Sequence, residues 1–185
     1  MRMKLEIRIL SALMLCLALA GCSGSTSEST KSETYSMMDN FASGVITPAN
    51  ESSTPTGKPV LILKDFEVGG EKRQVMITLA SAKIVFDVPQ VGKGARLTFG
   101  AGMNTTVGDG AEGVITVEAD GTAEVVYRKF LDPVDNTADK RWFDESVDLA
   151  KYADKHIKIS FETKPGPKGD ATGDWFAWSK PEISR

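Results

Sequence analysis

Val114-Ile-Thr-Val-Glu-Ala-Asp-Gly-Thr-Ala-Glu-Val-Val-Tyr127 is two apolar runs separated by Asp120-Gly121. An Asp-Gly pair takes the left-handed backbone of a two-residue turn whose twist matches antiparallel strands, so the stretch predicts a β-hairpin. Outward from it, apolar residues recur with a period of two at Val60-Leu-Ile-Leu63, Val75/Ile77/Leu79, Ile84/Phe86/Val88, Leu97/Phe99 and Ile157/Ile159/Phe161. Glycines fall in the gaps between these runs, as at Gly69-Gly70. Seven or eight short strands with regular turns, and only residues 146–155 suited to a helical turn, predict an all-β fold. An antiparallel β-sandwich over residues 58–185 accommodates that pattern better than a parallel sheet.

The charge balance narrows the function. The 185 residues carry 22 Lys and Arg against 25 Asp and Glu, a formal charge of −3. No positive field exists to attract a phosphate backbone, so nucleic acid is not expected as a partner. The single histidine, His156, and two cysteines, Cys16 and Cys22, supply neither a His/Cys zinc site nor a Cys-x-x-Cys pair.

The N-terminus carries Arg2, Lys4 and Arg8, then a nearly uninterrupted apolar run from Ile9 to Ala20. This is too short for the ~20 residues a membrane-spanning helix needs, and it describes a secretory signal instead. Leu19-Ala-Gly-Cys22 resembles the bacterial lipobox. That resemblance implies a signal peptide at 1–21 that is removed, and a diacylglyceryl group on the Cys22 thiol. The protein is then expected in a bacterial cell envelope, its membrane contact made through the N-terminal lipid. Ser23 rather than Asp after the cysteine suggests the outer membrane if the cell is Gram-negative.

From Ser23 to Thr34, eight of twelve residues are Ser or Thr, with little to bury against their ordering entropy. Residues 22–57 therefore read as a disordered Ser/Thr-rich tether. Tyr35-Ser-Met-Met-Asp-Asn-Phe41 and Val45-Ile46 interrupt its polarity, so residues 35–46 either dock on the sandwich or stay loosely held.

The strand series resembles the jelly-roll modules of the galactose-binding-like superfamily. Its opening half lies in Ile84-Val-Phe-Asp-Val-Pro89, Gly94 to Gly102 and Asp109 to Val117. Its closing half lies in Trp142, Val147-Asp-Leu149, Tyr152-Ala153, residues 157–163 and Asp174-Trp-Phe-Ala-Trp178. Relatives of this kind are often accessory or carbohydrate-binding modules, which implies a non-catalytic glycan binder, and some hold one structural calcium. Where the pattern usually has Ala-Gly, this chain has Ala153-Asp154, and Asp is tolerated in a left-handed turn.

Indoles offer a flat face for sugar C–H groups and a polar N–H at the edge, so Trp142 and Trp175 are candidate sugar contacts, with Asn104 and Asp109 in a neighbouring loop. Alternation places Trp175 and Trp178 on opposite faces, with Trp178 in the core. Asp170 and Asp174 are candidate calcium ligands, since hard cations prefer carboxylate and carbonyl oxygens. The run Asp132, Asp135, Asp139, Asp144 and Glu145 is equally acidic but matches no calcium-loop spacing. A hydrolytic pair would need two carboxyl groups facing each other across a cleft, and no catalytic residue is assigned. His156 points outward beside Ile157, with no local carboxylate or nucleophile to make a triad. The alternative to a glycan binder is a protein-interaction module of an envelope complex, which an exposed apolar sheet face would favour.

Overall fold

Eleven strands organise residues 34–47 and 57–184, which are the residues that the computed structural model describes. The signal segment, Cys22 and tether residues 22–33 and 48–56 lie outside the described residues. In chain order the strands are β1 Thr34–Ser36, β2 Val45–Thr47, β3 Val60–Val68, β4 Glu71–Leu79, β5 Lys83–Val88 and β6 Arg96–Met103. They continue with β7 Ala111–Ala119, β8 Thr122–Leu131, β9 Phe143–Asp148, β10 Ile157–Pro165 and β11 Trp175–Ser184. All pairings are antiparallel. One sheet has the order β3-β4-β11-β6-β9, with β1 added on β11, and the other has the order β2-β5-β10-β7-β8. The architecture is the expected antiparallel jelly-roll sandwich. The expected helical turn shrinks to a 3-10 turn at Ala150–Tyr152, because residues 143–148 form β9 instead.

Asp120 and Gly121 both have positive φ, 52° and 75°, and join β7 to β8 as the Asp-Gly pair predicts. Asp154 likewise takes a left-handed φ of 63°. Inward residues of both sheets meet in one core. Trp178 lies fully buried at its centre, with Phe176, Phe161 and Phe99 at centroid distances of 4.6, 5.2 and 5.7 Å. Each fully buried large apolar side chain contributes roughly 1.5–3 kcal/mol, so this cluster is a substantial part of the core's stabilisation. Gly113 on β7 makes room for Phe176 from the opposite sheet: a Cβ there would lie 2.4 Å from the Phe176 ring.

Residues 34–47 dock. β1 pairs with the end of β11, β2 pairs with the start of β5, and the intervening Met37 is fully buried. Met37 N donates to Pro181 O at 3.0 Å, and Tyr35 Oη donates to Asp87 O at 3.0 Å. Of the two placements the composition leaves open, the apolar side chains choose the sandwich.

A register shift between Leu63 and Phe66 bends the β3–β4 hairpin back over the outer face of its own sheet. Phe66 packs edge-on against Trp142, and Asn104 Nδ2 donates to Glu67 O at 2.8 Å. A satellite core of Val68, Val75, Ile77, Leu79, Trp142 and Ala177 fills the space beneath. The five consecutive residues Val75 to Leu79 are therefore all buried, alternately toward the two cores.

Candidate functional site

The bent hairpin leaves a groove of about 750 Å³ along the outer face of the β4-β11-β6-β9 sheet. Strand alternation decides what lines it. Phe99, Ala101 and Met103 of β6 point into the core, so Gly100 and Gly102 face outward. Register sets Gly100 between Ser179 of β11 and Asp144 of β9, giving a floor almost without side chains.

Arg73 forms the head of the groove. Its Nε donates to Glu71 Oε1 at 2.7 Å and its Nη1 to Asp144 Oδ1 at 2.5 Å, while Nη2 reaches Glu71 Oε2 and Asp144 Oδ2 at 3.2 Å each. Its guanidinium also lies 5.0 Å from the Trp142 ring centroid. Gly100 is what admits this geometry, since a Cβ there would sit 2.7 Å from Nη1. Hydrogen bonds from Arg73 hold the Asp144 carboxyl below its ordinary pKa, and those to Asp144 and then Glu71 raise the guanidinium further. Gln74, Ser146, Lys180 and Glu182 add polar groups along the walls. Lys180 has a left-handed φ of 43°, placed there by the irregularity in β11 next to Pro181.

At one end of the sandwich, the loops before β7 and before β11 bring two carboxylates together. Asp174 is fully buried and Asp109 is 6% exposed. Both Asp174 oxygens and Asp109 Oδ1 lack a hydrogen-bond partner among the described residues, whereas Asp109 Oδ2 accepts from Lys168 N at 2.6 Å. Burial pushes Asp174 up to about 7, assisted by the charges of Asp109 and Asp170. The Gly166 amide faces the carboxylate and offsets part of this without completing a hydrogen bond. Backbone crowds in as well: a Cβ on Gly166 would lie 2.6 Å from Asp109 O and 2.4 Å from Gly110 O.

Buried unpartnered carboxylates beside carbonyl oxygens match the donor set of a calcium ion, and Asp109 with Asp174 would hold it. Among the described residues no group of three or more His, Cys, Asp or Glu side chains gathers around a metal position, so carbonyls would complete the shell. Of the carboxylates expected as calcium ligands, Asp170 is exposed and accepts from Thr172 N at 2.9 Å within its own turn, and Asp174 lies buried beside Asp109.

The sugar contacts expected from sequence are redistributed. Trp142 is buried in the satellite core with its N–H on Glu71 O at 3.0 Å, leaving no open ring face. The Asn104 amide secures the hairpin, and Asp109 belongs to the buried pair. Of the four, Trp175 is exposed at 37% and Asn104 is exposed with its amide engaged on the hairpin, while Trp178 is core as alternation requires. Asp132 and Asp139 cap their own loop, Asp132 Oδ1 accepting from Asp135 N and Asp139 Oδ2 from Asp132 N. His156 does have a carboxylate partner, Asp87 of β5, reached across the sheet from 69 residues away; both side chains are solvent-exposed. Arg73 and Glu71 carry no motif in the sequence. Their only trace there is a polar end, Glu71-Lys-Arg-Gln74, on an otherwise apolar strand.

No family model matches the chain. It is 34% identical over 105 residues to an uncharacterized protein of Archaeoglobus fulgidus, an alignment covering 54% of this chain and 26% of that protein. The chain thus spans about a quarter of the length of the curated relative it matches. Among solved structures, the CBM51 module from Clostridium perfringens GH95, in complex with methyl-galactose, superposes with a TM-score of 0.51 at 14% identity. That match covers 82% of this chain and all of that one. TmCBM61, in complex with β-1,4-galactotriose, gives a TM-score of 0.53 at 14% identity over 81% of this chain and 94% of that one. These likenesses show the fold alone: an antiparallel β-sandwich like that of the two modules.

Proposed function

We propose that the protein is a non-catalytic glycan-binding module, and that the saccharide lies in the groove headed by Arg73. The observation that carries this reading is the groove itself: a concavity of about 750 Å³ with a floor of Gly100 and Ser179 and walls of charged and amide groups. Sugar rings are bound by such surfaces because each hydroxyl needs a partner when it leaves water. The two solved sandwiches of the same fold carry galactose-type sugars, which supports the ligand class. A lipid on Cys22 would place the module on a bacterial envelope, where polysaccharide is the ligand to hand.

A glycan array, followed by titration of each hit, tests this. Specific binding is expected to vanish in Ser146→Trp, which fills the groove from an exposed position while leaving the Arg73 clasp intact. An array without hits, or hits unaffected by Ser146→Trp, would remove the reading. Mass spectrometry of the mature N-terminus tests the lipid separately: a diacylated Cys22 is expected, and an unmodified N-terminus would refute it.

The competing protein-interaction reading draws little from the surface. Exposed large apolar residues are spread over Val45 and Ile46 of β2, Val125 and Phe130 of β8, Trp175 of β11, and the loop positions Val107 and Val134.

A further inference from the structure

Resting on the reading that the groove holds a glycan, we infer that it selects uncharged sugars, whose hydroxyls donate to the Glu71 and Asp144 carboxylates, over sugars that carry a carboxylate. An arginine in a sugar groove would ordinarily attract an acidic sugar through its planar fork. Here the fork is already occupied: four of its N–H groups point at two carboxylates of the protein. The exposures agree with the hydrogen bonds. The Arg73 side chain is 19% exposed, whereas Glu71 and Asp144 are 59% and 73% exposed. A ligand entering the groove therefore meets the outer lone pairs of two fixed acceptors and not the cation behind them.

The remaining charges do not reverse this. The groove is lined by four carboxylates, Glu71, Asp144, Glu145 and Glu182, and by three cations, Lys72, Arg73 and Lys180. Lys72 lies 3.9 Å from Glu67, and Lys129 answers Glu145 at 3.1 Å. Lys180 is the lining cation with no carboxylate in ion-pair range among the described residues, and Glu182 is its neighbour on β11. A uronic or sialic carboxylate would thus approach two aligned carboxylates with one lysine to offset them, and like charges at this range repel even in high dielectric. Neutral hydroxyls gain instead, because hydrogen bonds to an ionised acceptor are about twice as strong as neutral ones. Arg73 is a positioning residue: it holds the two carboxylates side by side, where without a cation between them they would separate.

Calorimetric titration with a matched pair, a neutral oligosaccharide hit and its uronic-acid counterpart, tests the inference. The neutral member is expected to bind about tenfold more tightly in low salt, with the gap narrowing as salt screens the repulsion. Asp144→Asn, shown folded by its melting temperature, is expected to narrow the gap by weakening the neutral sugar and admitting the acidic one. In Arg73→Gln the acid limb of the binding profile should move to higher pH, since Asp144 loses the cation that keeps it ionised. A merely structural arginine would leave that limb in place. Equal or tighter binding of the acidic member overturns the inference and leaves glycan binding intact. Absence of binding to every saccharide overturns the glycan reading on which it rests.

Discussion

The indole N–H of Trp178 donates to Thr78 Oγ1 at 2.9 Å in a space where both residues are fully buried. Thr78 Oγ1 also meets Thr163 Oγ1, and Thr163 Oγ1 donates to Thr78 O at 2.9 Å. The orientations follow by elimination. Since Thr163 spends its proton on the Thr78 carbonyl, the Thr78 hydroxyl accepts from Trp178 and donates to Thr163. One polar chain thus links β4 and β11 of one sheet to β10 of the other.

Replacing Thr78 by valine keeps the shape and strands the Trp178 donor. The expected loss is about 1–3 kcal/mol of unfolding free energy, the desolvation penalty of an unpaired buried donor. Thr163→Val should lose less, because the indole keeps its acceptor. Urea denaturation of both variants measures this, and equal losses would contradict the assigned directions.

Gly100 and Gly113 separate binding from stability. Gly113→Ala drives a methyl against the Phe176 ring, overpacking that costs about 1–3 kcal/mol. Gly100→Ala meets the far end of the flexible Arg73 side chain and, at 3.1 Å, Ser179 Cβ, so its melting temperature should fall less than that of Gly113→Ala while glycan affinity drops. Melting and titration of the two variants should show opposite patterns.

Asp174 is expected to make stability depend on pH and, if the buried pair holds the ion, on calcium. Its pKa of about 7 in the folded chain exceeds the ~3.9 of an unfolded aspartate. Folding therefore favours the protonated form. Without metal, the contribution of Asp174 to stability should be fully present below about pH 4 and be lost as the pH rises to about 7. Calcium should reverse the decline by stabilising the ionised pair, and chelation should restore it. Asp174→Asn is expected to flatten the profile and abolish the calcium response. Thermal melts from pH 4 to 8, with calcium or chelator, decide the matter; an identical response in Asp174→Asn would refute the assignment.

Met37 is fully buried although it lies in a segment rich in polar residues. Met37→Ala should cost about 2–5 kcal/mol, as for other buried large-to-small changes. A chain beginning at residue 58 should be markedly less stable than one beginning at residue 33. Equal melting temperatures would show that the segment adds nothing.

The sandwich was legible because its signals are local. Alternation marks strands such as β5 and β10, and Asp120-Gly121 marks the turn between β7 and β8. β9 was not, because Phe143-Asp-Glu-Ser-Val-Asp148 is an edge strand whose outward residues, Asp144 among them, serve the groove. The groove was illegible for a related reason. Arg73 meets Asp144 from 71 positions away, across the β11 and β6 strands that lie between β4 and β9. Gly100 and Gly102 look like turn residues in sequence but stand within β6, making room for Arg73 and Trp142. Both members of the acidic pair stand out in the sequence, Asp174 as a calcium ligand and Asp109 as a sugar contact, but their meeting is not legible, because the two loops lie 65 positions apart.

Thr34 stands opposite Ser184 in the β1–β11 pairing. The polypeptide thus enters and leaves the sandwich at one corner, as a drawer has a single handle. A host chain opened at one point can receive such a body without parting its sheets, and a short splice from residue 184 to residue 34 should give a circular permutant that still folds.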